Sequence, residues 1–150
     1  MEKSKKTLKM LVICIIGLVI VVAVNMLKKP EDPFKNADGV KFGGYQHVEE
    51  NDILNSKDYE SYYVYFYETG NEKCKDTNEA VKSYVRGKSS IYVFNMEEAK
   101  DIKTGKGFDY KNVTNYKDIT IKQVPMLIHV ENKKIDHVYY KASDIKKVLD

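Results

Sequence analysis

One apolar run restricts the architecture of this chain more than any other feature. From Met10 to Leu27 every residue is apolar or glycine except Asn25. An α-helix of this length spans roughly 27 Å, close to the thickness of the hydrocarbon core of a bilayer. A cleaved signal peptide has a shorter apolar stretch and a small-residue cleavage site, whereas this run continues into Lys28. Residues 10–27 are therefore predicted to form a retained transmembrane helix.

Lysines flank this run unevenly. Four of them lie in residues 1–9, whereas only Lys28 and Lys29 follow closely, beside Glu31 and Asp32. Because lysine-rich flanks stay on the cytoplasmic side, residues 1–9 are predicted to be a cytoplasmic tail. The chain is then a single-pass protein of the cell membrane whose C-terminal domain is extracytoplasmic.

The part of the chain after the apolar run divides at about Tyr45. Residues 28–45 contain prolines and glycines without apolar periodicity, which predicts a linker. Residues 46–150 are enough for one hydrophobic core and are predicted to form a single domain. Cys74 is the only cysteine there, so an internal disulfide is excluded.

Charge and composition restrict the partners. Beyond Lys29 the chain has 19 basic and 21 acidic residues, interspersed rather than segregated. Such a near-neutral domain gives no basic face for phosphate groups, so no nucleic-acid partner is predicted, whereas residues 10–27 predict contact with the lipid bilayer. A single arginine among many lysines, with frequent Asn, Ile and Tyr, suggests an AT-rich bacterial genome.

The central segment has the pattern of a strand, a helix and a second strand. Residues 62–67 are a continuous aromatic and β-branched run, typical of a strand buried on both faces, and residues 91–94 form a second run. Between them the apolar residues fall at helical intervals, which predicts a helix over 72–86 with Gly87 as its stop. Short connections favour a right-handed crossover and parallel strands, so the predicted class is α/β.

The flanking segments are less regular. Residues 48–57 predict a short helix, and residues 95–118 are a polar surface excursion or a weak helix with a loop. Residues 126–130 and 135–140 predict a β-hairpin, followed by an amphipathic helix over 142–149.

This order of elements, together with two short segments, resembles the thioredoxin-like family. Residues 65–75 are similar to the family's strand and active-site turn, and residues 124–128 are similar to its cis-proline loop. The resemblance covers about residues 45–150 and implies a central mixed sheet flanked by helices. Membrane-anchored proteins of this type and size include accessory proteins of bacteriocin transport.

The active-site turn departs from the family pattern. The family has a C-x-x-C pair at a helix N-terminus, where the first thiol is the nucleophile. Here the matching residues are Asn71, Glu72, Lys73 and Cys74, so Asn71 replaces the nucleophile and suits a helix N-cap. The resemblance therefore implies a degenerate dithiol centre and a binding or accessory module for an exported or membrane protein.

The expected binding surface combines the turn with the proline loop. By resemblance, the backbone beside Pro125 holds an extended peptide through strand-like hydrogen bonds, although a trans proline at a strand entrance has the same sequence. The resemblance gives as partner-binding residues Asn71, Glu72, Lys73, Val124 and Pro125.

The alternative is an enzyme that uses Cys74 alone. A monothiol thiol–disulfide oxidoreductase would form a mixed disulfide through Cys74 and need an external thiol to resolve it. No cofactor is expected in either case. His47, His129 and His137 are far apart in sequence without a ligand spacing beside them, so no metal site is predicted.

Overall fold

The computed structural model describes residues 2–35, 44–85, 91–106 and 109–150, with side chains from Met10 onward except that of Leu27. The chain divides into two compact units, one up to Pro30 and one from Glu31 to Asp150. In the first unit, helix α1 runs from Glu2 to Leu27. Among the described residues, no helix meets the length and apolarity required to cross a membrane.

The second unit is built on a five-stranded mixed sheet. Its strands are β1 (Tyr45–His47), β2 (Ser61–Tyr67), β3 (Ile91–Asn95), β6 (Met126–Glu131) and β7 (Lys134–Tyr139), in the order β1-β3-β2-β6-β7. β1, β3 and β2 are parallel, while β6 is antiparallel to β2 and β7 is antiparallel to β6. The predicted α/β class is confirmed, as is the parallel pairing of the two central strands.

β2 is the middle strand of the sheet, and both of its faces are covered. Successive side chains of a strand alternate between faces, so Tyr65 and Tyr67 share one face and Val64 and Phe66 the other. All four are inaccessible to solvent. The continuous aromatic run thus reflects a strand between two packed layers, as predicted.

Two helices pack against the face of Tyr65. A 3₁₀ turn, Glu72–Cys74, leads into α2 (Lys75–Tyr84), and α3 (Ala142–Leu149) closes the chain beside α2. The end of the predicted 72–86 helix and its stop at Gly87 lie outside the described residues. The prediction of a helix over 142–149 is confirmed.

The turn between β6 and β7 lies where the sequence predicts the turn of the hairpin. Asn132 and Lys133 connect β6 to β7, and both have positive φ, 50° and 65°. Two-residue turns with positive φ match the right-handed twist of the strands they join.

The segment predicted to be a linker contains part of the core. Phe34 is inaccessible to solvent, and its ring packs edge-on against Tyr67 and Tyr45, with centroids 4.7 and 5.0 Å away. The folded unit therefore begins at Glu31 and not at residue 46. The sequence did not indicate this role, because a single aromatic residue among prolines and glycines forms no periodic pattern.

The segment after β3 has more structure than predicted. β4 (Lys103–Thr104) pairs in parallel with β5 (Thr120–Ile121), and 3₁₀ turns lie between the strands and before β4. The Glu50 carboxylate anchors this segment by accepting backbone N–H bonds from Asp101 at 2.9 Å and Ile102 at 2.6 Å. The helix predicted over 48–57 is only a 3₁₀ turn, Glu50–Asp52.

Candidate functional site

The turn that follows β2 is organised by Asn71. Its side-chain oxygen accepts a hydrogen bond from the Lys73 amide at 3.0 Å, and its Nδ2 donates to the Glu68 carboxylate at 2.8 Å. Gly70 precedes it with φ of 72°, a conformation that favours glycine. Asn71 therefore caps the 3₁₀ turn, which is the structural role that the sequence predicts for it.

Cys74 lies beneath this turn and is inaccessible to solvent. Removal from water raises the pKa of the Cys74 thiol, because burial disfavours the charged thiolate. A backbone hydrogen bond from Glu68 and a side-chain hydrogen bond with Tyr65 oppose this shift, whereas the Glu68 carboxylate adds to it. The sulfur is a protonated, packed group at neutral pH.

A buried hydrogen-bond network joins β2 to α2 next to the thiol. The Tyr65 hydroxyl lies 2.7 Å from Thr77 Oγ1 and 2.8 Å from Asn78 Oδ1, and the Thr77 hydroxyl donates to the Cys74 carbonyl at 2.9 Å. Burial raises the pKa of Tyr65 well above its ordinary value. These groups are neutral partners of one another, so they stabilise the packing of α2 on the sheet.

Val124 and Pro125 lie at the same end of the sheet as this turn. Pro125 immediately precedes β6, whose first residue, Met126, pairs with Phe66 near the end of β2. The Val124–Pro125 peptide bond is cis, and both residues are buried. Antiparallel pairing of β2 with β6 thus brings the two predicted parts of the binding surface, the turn and the proline loop, to the same end of the sheet.

At this end of the sheet, the accessible residues belong to the turn that follows β2. Glu72 and Lys73 are exposed, Asn71 is half-buried, and Cys74 is beneath them. The buried Asn95, at the end of β3, donates to Thr69 Oγ1 at 2.9 Å and so links the neighbouring strand end to the turn. The accessible groups of this turn are therefore polar side chains and backbone, whereas the Cys74 sulfur is inaccessible.

Two of the three histidines, which are separate in the sequence, lie close together in the structure. His129 and His137 face each other across β6 and β7, and the Asp136 carboxylate lies between them. Asp136 Oδ2 is 3.2 Å from His129 Nδ1 and 2.6 Å from His137 Nδ1. These hydrogen bonds, first that of His137 and then that of His129, hold the pKa of the Asp136 carboxyl below its usual range.

The sequence pattern did not predict this cluster, because the two histidines are separated in sequence and come together only through the register of the hairpin, beside Asp136. Two histidines placed on either side of a predicted hairpin turn were the available signal. His47 lies elsewhere, with its Nε2 3.0 Å from the Phe34 carbonyl oxygen.

An open groove on another part of the folded unit also escaped prediction. It has a volume of about 1100 Å³ and lies beside β1 and the 3₁₀ turns around it. Some of its carboxylates already have internal partners, as Glu50 shows. Its acidic lining consists of Asp32, Glu49, Glu50, Glu97, Glu98 and Asp101.

No protein-family model matches the chain, and no curated protein is significantly similar to it in sequence.

Proposed function

We propose that residues 31–150 form a thioredoxin-like domain without a nucleophilic cysteine, held at the membrane by residues 10–27, which binds an exported or membrane protein. The observation that carries the proposal is the pair of roles in the turn after β2. Asn71 caps the turn where the family has its attacking thiol, and the remaining sulfur, Cys74, is buried with a raised pKa.

The order of the elements supports the fold assigned in this proposal. Strand, capped turn, helix, parallel strand, long connection, proline, hairpin and final helix follow one another as the resemblance requires. The sheet is mixed, and α2 and α3 pack on it. The exposed turn residues and Val124–Pro125 share one end of β2, which is the place for an extended partner segment.

The burial of Cys74 favours binding over monothiol catalysis. Thiol–disulfide exchange requires a thiolate that reaches the substrate sulfur in line, and burial opposes both conditions. An interaction through backbone groups and exposed side chains needs neither.

The apolar surface of α1 supports anchoring. Residues 10–26, the part of the predicted span with described side chains, are exposed on every side of the helix. A helix that is apolar all round is stable only inside a core or in lipid. Anchoring is tested by alkaline extraction of cell membranes, in which the full chain should remain in the pellet while a variant with three lysines introduced within 10–27 is released.

Photo-crosslinking in intact cells tests the binding surface. A photoreactive amino acid replaces Lys73 at the proposed surface or Lys133 at the hairpin turn, an exposed lysine at the opposite end of β2. Discrete protein adducts are expected from position 73 and not from position 133. Equal adducts from both positions, or none from position 73, would contradict this assignment of the surface.

A further inference from the structure

We infer that His129, Asp136 and His137 form a binding site for one divalent transition-metal ion of the zinc class. The three side chains come from the two strands of the β6–β7 hairpin, away from the turn that contains Cys74. One ligand atom from each of the three side chains lies within 4.8 Å of the other two. Asp136 Oδ2 is in hydrogen-bond contact with Nδ1 of both histidines.

A β-bulge explains why neighbours in sequence can share this site. Successive residues of a regular strand point to opposite faces. In this hairpin His129 pairs with His137 while Val130 pairs with Ile135, so Asp136 is the additional residue opposite His129. A bulge redirects the side chain at its extra residue, and here it places Asp136 with both histidines instead of behind them.

The spacing of the ligand atoms suits tetrahedral coordination. Zinc lies about 2.0–2.2 Å from nitrogen and oxygen ligands, which places adjacent ligand atoms about 3.3 Å apart. Asp136 Oδ2 is already 3.2 Å from His129 Nδ1, and 2.6 Å from His137 Nδ1. Because His137 is on the outer strand and its side chain is 60 % exposed, a small rotation of its ring opens the space for an ion.

Neighbouring groups hold the His129 imidazole in place. His129 packs against Tyr63 with ring centroids 4.8 Å apart, and its Nε2 is 3.0 Å from Ser61 Oγ. When Nδ1 binds a metal, the imidazole proton moves to Nε2, where it donates to a hydroxyl that can also accept. His137 stacks on Tyr139 at 15° between ring planes.

The type of ligand selects the ion. Imidazole nitrogen binds Zn²⁺, Co²⁺, Ni²⁺ and Cu²⁺, whereas Ca²⁺ and Mg²⁺ require oxygen ligands. Two imidazoles and one carboxylate leave a fourth position for water, because the side chains of Asp136 and His137 are accessible to solvent. The ion reaches the site from solvent, to which both of these side chains are exposed.

Titration of the full-length chain in detergent with Zn²⁺ tests this inference, using calorimetry and the visible spectrum of a Co²⁺ substitute. Asp136→Asn and His137→Ala alter exposed side chains and should weaken the Zn²⁺ affinity at least tenfold and remove the tetrahedral Co²⁺ bands. Ser61→Ala, which removes only the hydroxyl beside His129, should weaken the affinity by about tenfold.

His47→Gln is the matched control, because it removes the histidine outside the cluster while glutamine still donates to the Phe34 carbonyl. Its Zn²⁺ affinity should equal that of the wild-type chain. The inference is overturned if His137→Ala binds Zn²⁺ as tightly as the wild-type chain does. It is equally overturned if Cys74→Ser abolishes Zn²⁺ binding while His137→Ala retains it, since the ion would then bind the thiol.

Discussion

The hydroxyl of Tyr67 donates to the carboxylate of Asp32, at 2.9 Å from Oδ1 and 3.0 Å from Oδ2. Asp32 Oδ1 also accepts the Phe34 amide at 2.8 Å. Burial, followed by this hydrogen bond and the charge of Asp32, raises the pKa of Tyr67, so the hydroxyl remains a donor across the ordinary pH range. One contact thus joins the first residues of the folded unit to the end of its central strand.

Removing this hydroxyl should destabilise the folded unit. Tyr67→Phe keeps the buried ring and leaves the Asp32 carboxylate its bond from the Phe34 amide but removes the hydroxyl donor. Hydrogen bonds to charged groups contribute about 1.5–3 kcal/mol. We expect that loss in the free energy of unfolding, measured by urea denaturation of the full-length chain. Tyr45→Phe, which removes a hydroxyl from the half-buried ring beside Phe34, should change it by less than about 0.5 kcal/mol. Equal effects would show that the bond to Asp32 contributes little.

Replacing Phe34 tests whether the segment before β1 belongs to the core. Phe34→Ala removes a ring with no solvent exposure and should cost about 3–5 kcal/mol. Lys35→Ala, at the exposed neighbouring position, should be close to neutral. Urea denaturation of both variants measures the difference. A neutral Phe34→Ala would restore the original expectation that residues 28–45 are a linker.

The reactivity of Cys74 provides a test that depends on pH. In a Cys14→Ser background, alkylation of the unfolded chain should follow an ordinary thiol pKa of about 8.5. The folded chain should react far more slowly and only at higher pH, because the pKa of Cys74 is raised and its sulfur is buried.

The same shift has a defined effect on stability. A raised folded-state pKa means that the contribution of Cys74 is complete below the unfolded-state pKa and is lost as the pH rises through the folded-state pKa. As the pH rises above the unfolded-state pKa of the thiol, the free energy of unfolding should therefore decline more steeply for the wild-type chain than for a Cys74→Ala variant. A native thiolate that forms below about pH 8.5 would instead support the monothiol enzyme.

The sequence predicted those elements that have a clear pattern within their own residues, either a continuous apolar run or a helical period. The aromatic run of β2 and the amphipathic pattern of α3 are of this kind, and their predicted positions agree with the structure. Phe34 was missed because its burial depends on Tyr45 and Tyr67, which are distant in sequence. The 95–118 segment was missed because Glu50 anchors it through backbone amides, and no side-chain pattern records such bonds.

The candidate site residues also differ in whether their role depends on local sequence or on the fold. Asn71 has a local capping role and was predicted from its position before a helix. The cluster of His129, Asp136 and His137 depends on the register of the hairpin and on one additional residue, which a period of two does not predict.

The bulge at Asp136 has a consequence for solubility as well. β7 is an outer strand of the five-stranded sheet, and an unbroken outer strand presents backbone groups to which a strand of another molecule can pair. Asp136 interrupts the regular ladder and places a carboxylate on this strand near its middle. The same residue that completes the proposed ion site therefore makes this outer strand a less regular template for pairing with a strand of another molecule.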